Sequence, residues 1–93
     1  MRRFDWDQAK NVKLRKERGV GFEDIKRAVD KHQLLDDFPH PNKGKYPNQR
    51  LMVVKINDYG YLVPYVESEG KLFLKTIIPS RKATKLYLRK EKV

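Results

Sequence analysis

The sequence predicts an α+β domain in which an antiparallel β-meander is packed with two N-terminal helices and a C-terminal helix. Capped amphipathic segments occupy 7–31, three apolar runs separated by turn residues fill 50–78, and a basic helix follows Ser80. At 93 residues the chain fits one domain spanning 1–93, since domains run at roughly 100–200 residues. No repeat, low-complexity tract or internal boundary interrupts it. A domain this short buries about 60–65% of the surface its unfolded chain exposes, so a site is expected in a shallow groove.

Phe4 and Trp6 alternate with Asp5 and predict a short first strand, after which Asp7 caps a helix running to about Arg18. Gly19 supplies its stop. Ala9, Val12 and Lys16 share one side of that helix and Lys10, Lys13 and Glu17 another, which predicts a narrow apolar stripe and an exposed basic face. In the second helix, from Phe22 to about Lys31, Phe22, Ile25, Ala28 and Val29 form a clear core-facing stripe. Leu34 to Phe38 reads as a short strand. The loop from Pro39 to Pro47 holds three of the five prolines and continues neither helix nor sheet.

Arg50–Ile56, Tyr61–Val66 and Leu72–Ile78 form the predicted meander, with turns at Asn57-Asp58-Tyr59-Gly60 and Glu67-Ser68-Glu69-Gly70. Leu51 and Val53 alternate with Met52, Val54 and Ile56, so both faces of the sheet are apolar. Helices are expected over one face, and a partner or the chain terminus over the other. Ser80 caps a last helix through about Lys90, where Ala83, Leu86 and Tyr87 make a thin stripe among Arg81, Lys82, Lys85, Arg89 and Lys90.

Lys and Arg number 22 against 12 Asp and Glu, a formal charge of +10, with 39% hydrophobic and 37% charged residues. This is polar for a globular domain, yet the 11% aromatic content is too high for a disordered chain. The basic excess lies in 1–18 and, more strongly, from Lys71 onward, with an acidic stretch at 23–37 between. An anionic partner follows, either a membrane surface or nucleic acid. Zero cysteines remove disulfides, thiolate zinc sites and cysteine nucleophiles, and favour a cytoplasmic location. No apolar run approaches the ~20 residues of a membrane span, and the start lacks a secretory h-region. His32 and His40 stand alone, Ser68 and Ser80 lack a nucleophile-elbow context, and no glycine-rich phosphate loop occurs. No metal or cofactor is therefore expected.

Cationic and aromatic groups suffice for one reaction, metal-independent RNA cleavage. A base removes the 2′-OH proton, the oxygen attacks the adjacent phosphate in line, and Arg or Lys stabilises the charge that develops. A groove across a sheet with stacking aromatics can hold the single strand. The residues placed for this are Arg50 opening a strand, Tyr46 and His40 in the loop before it, Lys75 on the third strand, and Arg81 and Lys82 at the last helix. Each has a plainer reading. Arg and Lys are mostly solvated, Tyr61 and Tyr65 share a strand face that either stacks bases or edges the core, and Trp6 is a core residue. The last helix, including Lys85, binds nucleic acid, is merely solvated, or docks an acidic partner.

Phe4-Asp5-Trp6-Asp7 with Lys10, then Arg18-Gly19-Val20-Gly21-Phe22-Glu23-Asp24, resembles the opening of BrnT-like toxins, F-x-W-D-x-x-K followed by K-H-G-V-x-F-E-E. Ile77-Ile78-Pro79-Ser80-Arg81-Lys82-Ala83-Thr84 looks like their closing I-I-S-A-R-K-A-T, Arg50 falls on their strand-opening Arg, and Tyr65-Val66-Glu67 resembles their Y-T-E. The likeness spans nearly the whole chain in one order. It implies a small RelE-like fold, a ribonuclease toxin that inhibits translation without a metal, and a cognate DNA-binding antitoxin that neutralises it. The implied partners are thus an RNA substrate and the antitoxin, with no membrane, in a homodimer or a toxin–antitoxin heterotetramer. Arg50 and Arg81 match the family and are assigned to phosphate and transition-state contacts, with Lys10, Lys75, Lys82, Lys85 and Tyr46 as RNA-binding residues. Arg18 stands where the family has His, Asn48-Gln49 replace a Glu, Thr76 replaces an Arg, and Tyr87 replaces a helix Glu. The general base is left among Tyr87, Glu67 and His40, with Tyr87 placed in the catalytic set. The alternative on the same fold is a non-catalytic nucleic-acid-binding or protein-interaction module.

Overall fold

The computed structural model describes residues 3–88. The elements run β1 (Arg3–Trp6), α1 (Gln8–Arg18), α2 (Phe22–Asp30), β2 (Leu34–Pro39), β3 (Arg50–Ile56), β4 (Tyr59–Ser68), β5 (Lys71–Leu74), β6 (Ile78–Pro79) and α3 (Arg81–Leu88). The continuation of the last helix toward Lys90 lies outside the described residues. Among the described residues no helix is long and apolar enough to cross a membrane.

Strand order in the sheet is β1-β5-β4-β3-β2, with β6 pairing with β4. β3, β4 and β5 form the expected antiparallel meander, β2 adds to β3 antiparallel, and β1 lies parallel to β5, so the sheet is mixed. Asn57 and Asp58 (φ 51° and 62°) and Glu69 and Gly70 (φ 52° and 78°) make two tight hairpin turns. Positive φ at both central positions matches the strand twist, which lets β4 run the full Tyr59–Ser68.

The run expected from Leu72 to Ile78 is broken. β5 ends at Leu74, and Ile78–Pro79 pairs further along β4, opposite Leu62 and Tyr61. Pro64 supplies the reason. Its carbonyl accepts from Lys75 N–H (2.8 Å), but proline has no N–H to return, so the ladder fails there and the chain bulges. Ile77, inside the bulge, drops into the core with no exposed surface.

One sheet face packs against α1 and α2 through Phe22, Ile25, Ala28, Met52, Val54, Val63, Tyr65, Leu72 and Leu74. Trp6 stacks on Phe22 at 5.7 Å. The second-helix stripe is as predicted, but the first helix is turned differently. Val12 is 52% exposed, and α1 buries Asn11 and Leu14 instead. Asn11 decides this orientation: its Oδ1 accepts from Phe22 N–H (2.7 Å) while its Nδ2 donates to both Glu23 oxygens (2.9 Å each). A side chain of α1 thus caps the start of α2, where Gly21 has no side chain to offer.

On the other face α3 covers the part over β3 and the start of β4. Ser80 caps α3 by accepting from Ala83 N–H (3.0 Å), and Thr84 Oγ1 accepts the buried N–H of Gly60 (2.8 Å). A Cβ on Gly60 would lie 3.0 Å from Thr84 N, so helix and strand meet at backbone distance. In the predicted stripe Ala83 is buried and Tyr87 half-buried, while Leu86 is 54% exposed, its place taken by Thr84.

Thr84→Val keeps the side-chain shape but leaves the Gly60 N–H without an acceptor, at a cost of about 1–3 kcal/mol in urea unfolding. Leu86→Ala is expected to cost far less. Glu23 is held down to about 2 by the hydrogen bond from Asn11 and then by that from Arg15. Its folded value lies below its unfolded one, so its stabilisation is complete above about pH 4.5 and declines as pH falls toward 2. Glu23→Gln should flatten the stability profile across that window.

Candidate functional site

Arg50 opens β3 on the side chain row of Met52 and Val54, facing the helix-covered side, and pairs across β4 with Tyr65. Asp37, opposite Met52 on β2, lies on the same face. The three converge. Arg50 Nε donates to Asp37 Oδ1 (3.1 Å) and to the Tyr65 hydroxyl (3.2 Å), and Arg50 Nη2 donates to the Asp37 carbonyl (3.3 Å). The Tyr65 hydroxyl donates to the Asp37 carboxylate, 2.8 and 2.7 Å from its two oxygens. Burial and the bond to Asp37 push the Tyr65 phenol up, which keeps it a neutral donor. The Tyr65 bond and the Asp37 carboxylate hold the Arg50 guanidinium protonated.

The cluster is accessible although its base is buried. Tyr65 is 1% exposed, while the side chains of Arg50 and Asp37 are 39% and 24% exposed. Asp37 also forms part of the wall of a largely apolar groove of about 220 Å³ shared with Phe4, Val29, Leu34, Met52, Leu72 and a second carboxylate, Asp30. A hydrogen-bonded carboxylate, a guanidinium with N–H groups not engaged by Asp37 or Tyr65 and an apolar wall therefore meet at one place. No family model, curated protein or solved structure matches the chain.

Tyr87 is not part of this cluster. It reaches the sheet from α3 and donates to Asp36 Oδ2 (2.6 Å). Asp36 and Asp37 are neighbours in β2, so they point to opposite faces, and Arg50 and Tyr87 are on opposite sides of the sheet. The sheet thus separates Tyr87 from Arg50, and the two do not meet in one cluster. The bond to Asp36 also raises the Tyr87 phenol, so it keeps its proton and acts as a hydrogen-bond donor to Asp36.

Arg81, the first residue of α3, is exposed and shares the α3 side with Tyr87. Lys82 and Tyr87 line an apolar groove of about 310 Å³ with Phe38, Leu51, Val53 and Leu86. Lys85 and Lys10 are exposed on α3 and α1. Lys75 follows β5 on the α3 side of the sheet, its Nζ 5.3 Å from the centre of the Phe73 ring. Tyr46 is half-buried in the loop, its ring 4.5 Å from that of His40, with Lys45 Nζ 5.5 Å away.

The residues that sequence reasoning missed are Asp37 and Asp36, and Tyr65, read there as a stacking or core-edge residue, is instead the partner of Arg50 and Asp37. The signal was present in Leu34-Leu35-Asp36-Asp37-Phe38: carboxylates are disfavoured inside strands, and two in a row need a partner on each face. Tyr65→Phe removes the phenol that bridges Arg50 and Asp37. Urea unfolding should show a loss of about 1–3 kcal/mol, with the fold intact by circular dichroism.

Proposed function

We propose that this chain is a metal-independent endoribonuclease, the toxin of a toxin–antitoxin pair that inhibits translation by cutting RNA and is neutralised by a cognate DNA-binding antitoxin. The observation that supports the reaction most directly is the Arg50–Asp37–Tyr65 cluster. The toxin role and the antitoxin come from the resemblance to BrnT-like toxins.

In this reading Asp37 accepts the 2′-OH proton, and the freed oxygen attacks the adjacent phosphorus. The P–O5′ bond breaks, leaving a 2′,3′-cyclic phosphate and a 5′-oxygen that takes a proton from water. Arg50 meets the charge gathering on the non-bridging oxygens through N–H groups not engaged by Asp37 or Tyr65. Tyr65 fixes the carboxylate so that the two groups keep their relative position. The phosphate contact assigned to Arg81 is here a binding contact on the opposite face.

The test is labelled single-stranded RNA incubated with purified protein in EDTA. Cleavage to cyclic-phosphate ends is expected, with Asp37→Asn and Arg50→Ala each slowed by about 100-fold or more. Expression should arrest growth, and both variants should relieve the arrest. Full cleavage by both variants at equal folded protein would remove the site assignment, and absence of cleavage by the native chain would remove the activity.

A further inference from the structure

α3 covers only part of its sheet face, lying over Gly60, Leu62 and the central residues of β3. On the rest of that face, residues alternate with the core residues Phe4, Trp6, Leu72 and Leu74 and therefore point away from them. The register sets Arg3 beside Lys71, and Asp5 beside Phe73 beside Val66. Lys75 continues the row and stands over the Phe73 ring at 5.3 Å. Phe73 is 36% exposed, and Arg3, Lys71 and Lys75 are all exposed.

Along its strand the Phe73 ring is flanked by Lys71, roughly 6.6 Å away by strand geometry, and by Lys75, whose Nζ stands 5.3 Å from the ring centre. A third cation lies in the neighbouring strand, with one carboxylate, Asp5, among them. A protein-docking face would offer a contiguous apolar area, whereas here the apolar side chains Phe73 and Val66 stand in a cationic setting, with Lys75 between Phe73 and the exposed Ile78. A π-face between spaced cations suits a base between phosphates.

The sheet also provides a path between this face and Arg50. β3 begins at Arg50 opposite Tyr65, so Val66–Ser68 of β4 have no β3 neighbour and form a shoulder on which Ser68 and the carboxylate of Glu67 are exposed. Tyr65 pairs with Leu74 and Val66 with Phe73, which puts Phe73 one row beyond the Arg50 row, on the reverse face. A strand leaving Phe73 can turn round that shoulder toward Arg50.

We propose that the open half-face of β1, β4 and β5 is an anchoring site for single-stranded RNA, with a base stacked on Phe73 and phosphates on Arg3, Lys71 and Lys75. The inference takes its ligand from the RNA reading above and deepens it, because it adds a binding surface separate from the reacting groups. Duplex RNA, whose bases are already stacked, cannot use Phe73.

The experiment measures binding of the full chain to a short labelled single-stranded RNA and to the same sequence as a duplex, across a salt series in EDTA. The single strand is expected to bind more tightly, and Phe73→Ala to weaken it roughly tenfold while Phe73→Trp retains it. Lys71→Gln with Lys75→Gln should lower the salt slope by about 1.4, or 0.7 per contact. Equal binding of strand and duplex, or native affinity in Phe73→Ala, overturns the anchor, as does the absence of RNA binding. Binding that depends on Phe73 without cleavage supports the anchor and removes the ribonuclease reading. Cleavage at subsaturating RNA that ignores Phe73→Ala removes the anchor alone.

Discussion

Asp36 and Asp37 are consecutive residues of an edge strand, and the two-residue period of a strand sends their carboxylates to opposite faces. Each finds a donor there. Asp37 takes the Tyr65 hydroxyl and the Arg50 guanidinium on the helix-covered side, and Asp36 takes the Tyr87 hydroxyl on the α3 side. A half-buried carboxylate without such a partner would be costly in a strand. These bonds therefore tie β2 to β3 and β4 on one face and to α3 on the other. A slip of one residue in the β2 register would exchange the two carboxylates and leave both sets of donors unmatched.

The two faces are built by different means. The first is a packed core in which Phe22, Ile25, Met52, Val54, Val63 and Tyr65 are essentially inaccessible, and Asn11 joins the helices that cover it. The second relies on one close approach, where Gly60 lets α3 reach the backbone of β4 and Thr84 bonds the Gly60 N–H. A short helix with a thin apolar stripe gains most of its stability from such packing. The uncovered remainder of that face is where Phe73 and Lys75 stand in the open.

The charge of +10 is likewise divided. Arg15 is engaged by Glu23 across the helix pair, Arg27 by Asp24 one turn away within α2, and Arg50 by Asp37. Exposed ion pairs of this kind contribute little stability, and what they do here is orient the guanidinium groups. Arg81, Lys82, Lys85 and Lys75 lie instead on the α3 side, exposed.

Much of the fold could be read from local chemistry. Asp7 and Gly19 bound α1, Ser80 starts α3, and Asn57-Asp58 and Glu69-Gly70 close the hairpins, because capping and turn geometry depend on residues within a few positions of each other. The face of α1 could not be read in this way, since Asn11 is buried by a bond to the start of another helix and its hydropathy does not announce it. Nor could the break after Leu74, which depends on Pro64 in the adjacent strand. Arg50 was legible as a cation at a strand start, but its partners Asp37 and Tyr65 are 13 and 15 residues away in sequence. The sequence by itself determined the element types, the turns and the basic excess, all of which follow from short-range patterns. The tertiary structure decided which carboxylate meets Arg50, that Tyr87 faces the other way, and which part of the sheet stays open, because strand register and helix docking are set by contacts between distant residues.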